Sequence, residues 1–184
     1  MNVLIAYAGK TGATKKCVDY MKMISIENVT LYDAKAGGDI NYEDYDVIIM
    51  GGSIRIGVMD NSIRKFAKER DFTGKKIGLF VVCGISENQD KYLRTNFPDI
   101  TPDTEACFGG EFALTKVKGL EKLVIKRAIK DSAKKNKPLP EVNYQAIKDF
   151  MENLYFDYYA DNKEEGEQIV KTAPVNDEIG DIDF

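Results

Sequence analysis

Two glycines and two threonines are packed into one short stretch of this chain, Gly9-Lys10-Thr11-Gly12-Ala13-Thr14, directly after the apolar run "NVLIAY". Small residues let a backbone come close to an anion, and threonine hydroxyls donate to it. If a helix begins here, its unpaired N–H groups and its dipole favour negative charge as well. Two familiar phosphate loops do not fit. A Walker loop, G-x-x-x-x-G-K-[ST], would need its first glycine at Leu4, which lies inside the apolar run. A dinucleotide G-x-G-x-x-G needs a third glycine, and Gly9 and Gly12 stand alone. Two readings stay open on spacing: a loop that wraps one terminal phosphate, and an ordinary tight turn between a strand and a helix.

Composition narrows the chemistry around that loop. The chain has 184 residues, 43% hydrophobic and 30% charged, which suits one ordinary globular domain with a sizeable core. It has no histidine. Histidine acid–base catalysis, catalytic triads and histidine metal ligands are therefore excluded. Cys17, Cys83 and Cys107 are isolated in sequence and read as buried thiols of a reducing, cytoplasmic compartment, with no metal-site spacing. No signal peptide or membrane span is expected, since the apolar runs have the length of buried strands.

Those runs alternate with helical patterns. Strands are predicted at 2–7, 28–33, 45–52, 75–84 and 105–114. The continuous apolar character of the first, third and fourth suits parallel strands covered on both faces. Between them, 12–24 carries a stripe of Cys17, Tyr20, Met21 and Ile24. Residues 59–69 read as a helix capped by Asp60 or Asn61, with Ile63, Phe66 and Ala67 inward. A short helix fits 88–96. An amphipathic one fits 120–135, with Leu120, Leu123, Val124 and Ile125 as its apolar side. A last helix fits 144–159. The alternation predicts an α/β domain over 1–160 with a parallel sheet and right-handed crossovers. Residues 161–184 are polar and acidic and read as a solvated tail. From Asn136 onward there are 4 lysines against 12 acidic residues, so a chain of net charge −4 has a mildly basic body.

"YAGKTGATKK" resembles the phosphate loop of the flavodoxins, roughly [ST]-x-T-G-x-T after the first strand, with Ala8 standing where that pattern has Ser or Thr. The resemblance implies a flavodoxin-like fold, a five-stranded parallel sheet of order 2-1-3-4-5 with helices on both faces. It also implies FMN at the carboxyl ends of the first, third and fourth strands; flavodoxin is itself the standard illustration of that placement. The phosphate would sit at Gly9, Lys10, Thr11, Gly12, Ala13 and Thr14. Two further loops would flank the ring system. In "GGSIRIG", Ile54 and Ile56 would lie against its face, while Ser53, Arg55 and backbone amides would address its oxygens, and Gly57 would complete that side of the site. "CGISENQD" would contribute Cys83, Gly84, Ile85, Ser86 and Asn88. Neither loop has an aromatic residue before Tyr92.

A narrower likeness joins "YDVIIMGGSIRIG" to "FGGEFALTKVKGLEKLVIKRAIK". Together they look like the flavodoxin-type, quinone-linked protoporphyrinogen dehydrogenases, although the segment before the basic helix lacks that family's aromatics. What the resemblance implies is electron transfer or flavin-dependent oxidation and reduction. The partner would be a redox protein, or a quinone or other small substrate. Lys122, Lys126, Arg127, Lys130 and Lys134 give 120–135 a basic face open to peripheral membrane contact. Nucleic acid is not expected as a partner. A binding module that kept the fold and lost the flavin is the alternative from another class.

Overall fold

The computed structural model describes residues 1–84, 88–111, 119–134 and 138–162, with the side chains of 120, 121, 124, 128 and 131 excepted. Five strands, β1 (Asn2–Ala8), β2 (Asn28–Asp33), β3 (Val47–Ser53), β4 (Lys76–Val82) and β5 (Thr104–Cys107), form one sheet of order β2-β1-β3-β4-β5. Every neighbouring pair is parallel. This is the flavodoxin-like α/β arrangement that the sequence led us to expect.

Strand alternation divides the core in two. Val3, Ile5, Tyr7, Val47, Ile49, Phe80 and Val82 face one layer with α1 (Ala13–Ile24) and α5 (Tyr144–Asp161). Leu4, Ala6, Ile48, Met50, Leu79 and Val81 face the other, with α2 (Asn61–Lys68) and α3 (Gln89–Asn96). β1 and β3 therefore need apolar residues at nearly every position, whichever way a side chain points. The edge strands β2 and β5 are mostly half-buried, so their sequences are more polar.

The helices begin and pack for local reasons. Cys17 and Met21 are fully buried on α1, as is Val18, while the expected Tyr20 and Ile24 pack only at the margin of that layer. Asp60 caps α2, its carboxylate accepting from the Ser62 N–H at 3.1 Å, and Ile63, Phe66 and Ala67 point inward as expected. Asn143 caps α5 by accepting from the Ala146 N–H at 3.0 Å. At the far end of α5, the Tyr155 hydroxyl meets Ser25 Oγ at 2.6 Å and joins that helix to the end of α1.

One expectation needs correction. The fifth strand, expected over 105–114, spans Thr104–Cys107, and 112–114 of that expectation lie outside the described residues. Phe108 turns wholly into the core, stacked on Phe80 at 5.1 Å, and Gly109 takes a φ of 66° that no strand continues. The chain then bonds to the segment before α5, with the Asn143 N–H donating to the Phe108 carbonyl at 2.8 Å. On α4 (Gly119–Lys134), the side read as apolar is open in part, with Leu123 64% exposed. Spacings of three and four residues place it on the same face as Lys126, Arg127 and Lys130. Residues 112–118 of the stretch that carried the narrower resemblance lie outside the described residues, as do 163–184 of the acidic tail.

Candidate functional site

The parallel register brings three loops out side by side at one end of the sheet. Ala8, the last residue of β1, pairs with Gly52, and Ser53 on β3 pairs with Val82. The segments that follow, from Gly9, Ile54 and Cys83, consequently leave adjacent strands at the same level. All three sequence-predicted loops share this edge. Ile85 and Ser86 lie outside the described residues, and Asn88 is an exposed residue at the start of α3.

The first loop runs straight into the start of α1. Gly12 occupies the N-cap of α1 with φ 98°, a left-handed conformation that favours glycine, and having no side chain it makes no cap hydrogen bond to the helix's first N–H groups. Those donors sit at the positive end of a 12-residue helix. Thr14, in the first turn, is 1% exposed, and its hydroxyl has no hydrogen-bond partner. A buried, unpaired hydroxyl costs about 1–3 kcal/mol, so its presence calls for an acceptor. Gly9 lies directly against that side chain: a Cβ placed there would come within 2.7 Å of Thr14 Cβ and 2.8 Å of Oγ1, so this close approach of the loop to the helix requires glycine. Lys10 is exposed at the rim. Helix donors without a capping side chain and an orphaned hydroxyl beside them are groups that a phosphate could satisfy.

The second loop is a small hairpin. Arg55 and Val58 exchange backbone hydrogen bonds at 2.8 and 3.2 Å. The two residues between them, Ile56 and Gly57, both have positive φ, 51° and 86°. This suits a two-residue turn of the primed kind, normally Asn-Gly or Gly-Gly. A β-branched residue in the left-handed region is a genuine outlier that costs about 1–3 kcal/mol. Ile56 is also 80% exposed, so burial in the protein does not compensate. Ile54 differs: it is half-buried and packs against the α2–α3 layer. Of the two isoleucines, only Ile56 presents an open apolar face.

One residue that positions this loop is not legible from motifs. Asn96 on α3 is 3% exposed; its side-chain oxygen accepts from the Met59 N–H at 2.7 Å and its amide donates to the Tyr92 carbonyl at 2.7 Å. It thus fixes the end of the second loop to the helix that follows the third.

The thiols also depart from expectation. Cys17 is fully buried, and burial pushes its thiol up to about 12. Cys83 and Cys107 are only partly buried, and their sulfurs lie 3.4 Å apart at the ends of β4 and β5. The hydrogen bond with Cys83, aided by the Gly109 backbone and against burial, brings the Cys107 thiol down to about 6. Among the described residues no cluster of metal-ligating side chains occurs, and no helix is long and apolar enough to cross a membrane.

Known proteins place this geometry. The family model described as a flavodoxin domain matches residues 4–138. A short-chain flavodoxin associated with a bacterial microcompartment is 15% identical, with 85% of this chain and 98% of that one covered and a TM-score of 0.53. The Fusobacterium nucleatum flavodoxin bound to flavin mononucleotide is 18% identical over 61% of this chain and 72% of that one, TM-score 0.44. Oxidised flavodoxin 1 of Bacillus cereus is 15% identical over 72% and 95%, TM-score 0.43. No curated protein sequence matches.

Proposed function

The chain belongs to the flavodoxin domain family, and from that premise we propose that it binds FMN at its three-loop edge and works in electron transfer or flavin-dependent oxidation and reduction. The observation that carries this reading is the buried, unpartnered hydroxyl of Thr14 beneath the uncapped start of α1. There the helix N–H groups and the Thr14 hydroxyl would hold the FMN phosphate. Thr11 and Lys10 complete the loop around it. Ile56 would give the ring system an apolar face, which accounts for holding an isoleucine exposed in a costly conformation. Ser53, Arg55 and Gly57 of that loop, and Cys83, Gly84 and Asn88 of the third, would flank the ring system.

When bound, FMN supplies the redox chemistry itself. The protein's part is to bind, orient and shield. A chain without histidine is suited to that division, because no protein-borne imidazole has to move a proton. The partner class we propose is a redox protein, a quinone or another small substrate.

A second reading, oxidation of a protoporphyrinogen-like substrate with electrons passed to a quinone, is favoured by the exposed Leu123 on the basic face of α4. An apolar residue among lysines and arginines suits the interface of an anionic membrane, where quinones reside. One anaerobic experiment tests both. Protein purified with its pigment should show a flavin spectrum that bleaches with a chemical reductant. Bleaching by porphyrinogen as well would select the second reading. A colourless protein that takes up no FMN would leave the fold as a binding scaffold.

A further inference from the structure

Two thiols stand side by side at the functional edge, one of them Cys83 at the start of the third loop. Cys107 is the last residue of β5 and pairs in register with Val81, while Cys83 follows β4 by one residue. The pairing of β4 with β5 therefore sets the two side chains beside each other, and their sulfurs approach to 3.4 Å. A disulfide needs about 2.05 Å. The remaining gap can be closed by side-chain rotation, because both residues lie at strand ends and are partly open to solvent. Cys17, wholly buried, has neither a neighbour of this kind nor access.

We propose that Cys83 and Cys107 form a reversible dithiol–disulfide pair, a redox-modification site that exchanges with small-molecule disulfides and thiols of the glutathione class. The Cys107 thiolate attacks one sulfur of the small disulfide. That S–S bond breaks, the first small thiol leaves with a proton, and Cys107 is left as a mixed disulfide. Cys83 then loses its proton and attacks the Cys107 sulfur, and the second small thiol leaves. The two protein thiols are oxidised by two electrons, and the small disulfide is reduced to two thiols. The product ties the start of the third loop, at Cys83 and Gly84, to the end of β5. Cys107 is the attacking sulfur because the Cys83 hydrogen bond and the Gly109 backbone stabilise its thiolate.

The test is incubation of the folded full-length protein with oxidised glutathione, followed by acid quench, alkylation and peptide mass mapping. The expected product is a Cys83–Cys107 cross-link, with both thiols lost together, Cys17 unmodified and full recovery on reduction. In Cys83→Ser the reaction should stop at a glutathione adduct on Cys107. In Cys107→Ser the adduct on Cys83 should form about tenfold more slowly at mildly acidic pH, where an ordinary thiol is almost wholly protonated. Stable glutathione adducts without a cross-link, no reaction in the wild-type protein, or equal rates in the two variants would each overturn the proposal.

Discussion

Thr14 and Ile56 make the same argument from opposite directions, one as a polar group buried without a partner and the other as an apolar group exposed under strain. Thr14→Val keeps the shape and removes the hydroxyl. With FMN absent it should leave stability unchanged or raise it, because the orphaned group has gone. FMN affinity should fall by about 1.5–3 kcal/mol, the worth of a hydrogen bond to a charged group, with little change for riboflavin. Parallel titrations with the two flavins check this; equal losses would remove the phosphate from the site. Ile56→Asn puts a residue that tolerates positive φ where isoleucine is strained. Its melting temperature should rise, by the equivalent of about 1 kcal/mol, while flavin affinity falls. A melting temperature below that of the parent would mean that Ile56 is not strained in solution.

At the scale of elements, the site depends on how loops are fastened to helices. Asn96→Ala leaves the buried Met59 N–H without its acceptor and should destabilise the protein by about 1–3 kcal/mol. It should also loosen the hairpin at 55–58, visible as faster amide exchange there than in α2. Asp60→Ala removes the α2 cap and should cost about 1 kcal/mol near neutral pH. The pH dependence has a definite sign. Burial raises the Asp60 carboxyl, but hydrogen bonds from the Ser62 N–H and hydroxyl, with Lys35 nearby, outweigh it and hold the group below its ordinary value. A carboxyl lowered on folding adds stability above its unfolded pKa, about 4, and loses it as pH falls through the folded value. Urea unfolding of parent and variant should therefore differ near neutrality and converge in acid. A gap that persists in acid would show that the cap does not act through its charge.

For the whole molecule, the sheet was the most legible part of the sequence, because strands covered on both faces must be apolar throughout. The overrun of the fifth strand shows where that rule stops. "EACFGGEFAL" is mostly apolar past Cys107, with Glu111 the one charge, yet Phe108 leaves the sheet to fill the core beside Phe80. The turn at Gly9–Thr14 and the helix after it were legible because glycines and threonines follow one another there directly after a strand. Asn96 holding Met59, and Cys83 facing Cys107 across 24 residues, were not, since strand pairing and helix packing create those contacts. Nor could the sequence announce the turn at Ile56, because isoleucine is among the residues least expected at positive φ. The fold thus delivers three loops to one edge, where we propose that FMN is held by its phosphate. The measurement that tests it most directly is calorimetric titration of flavin-free protein with FMN and with riboflavin, each repeated on Thr14→Val. The expected result is one FMN per chain, much weaker riboflavin binding, and loss of most of that preference in the variant. Equal affinity for both flavins in the parent protein, or no binding of either, would contradict it.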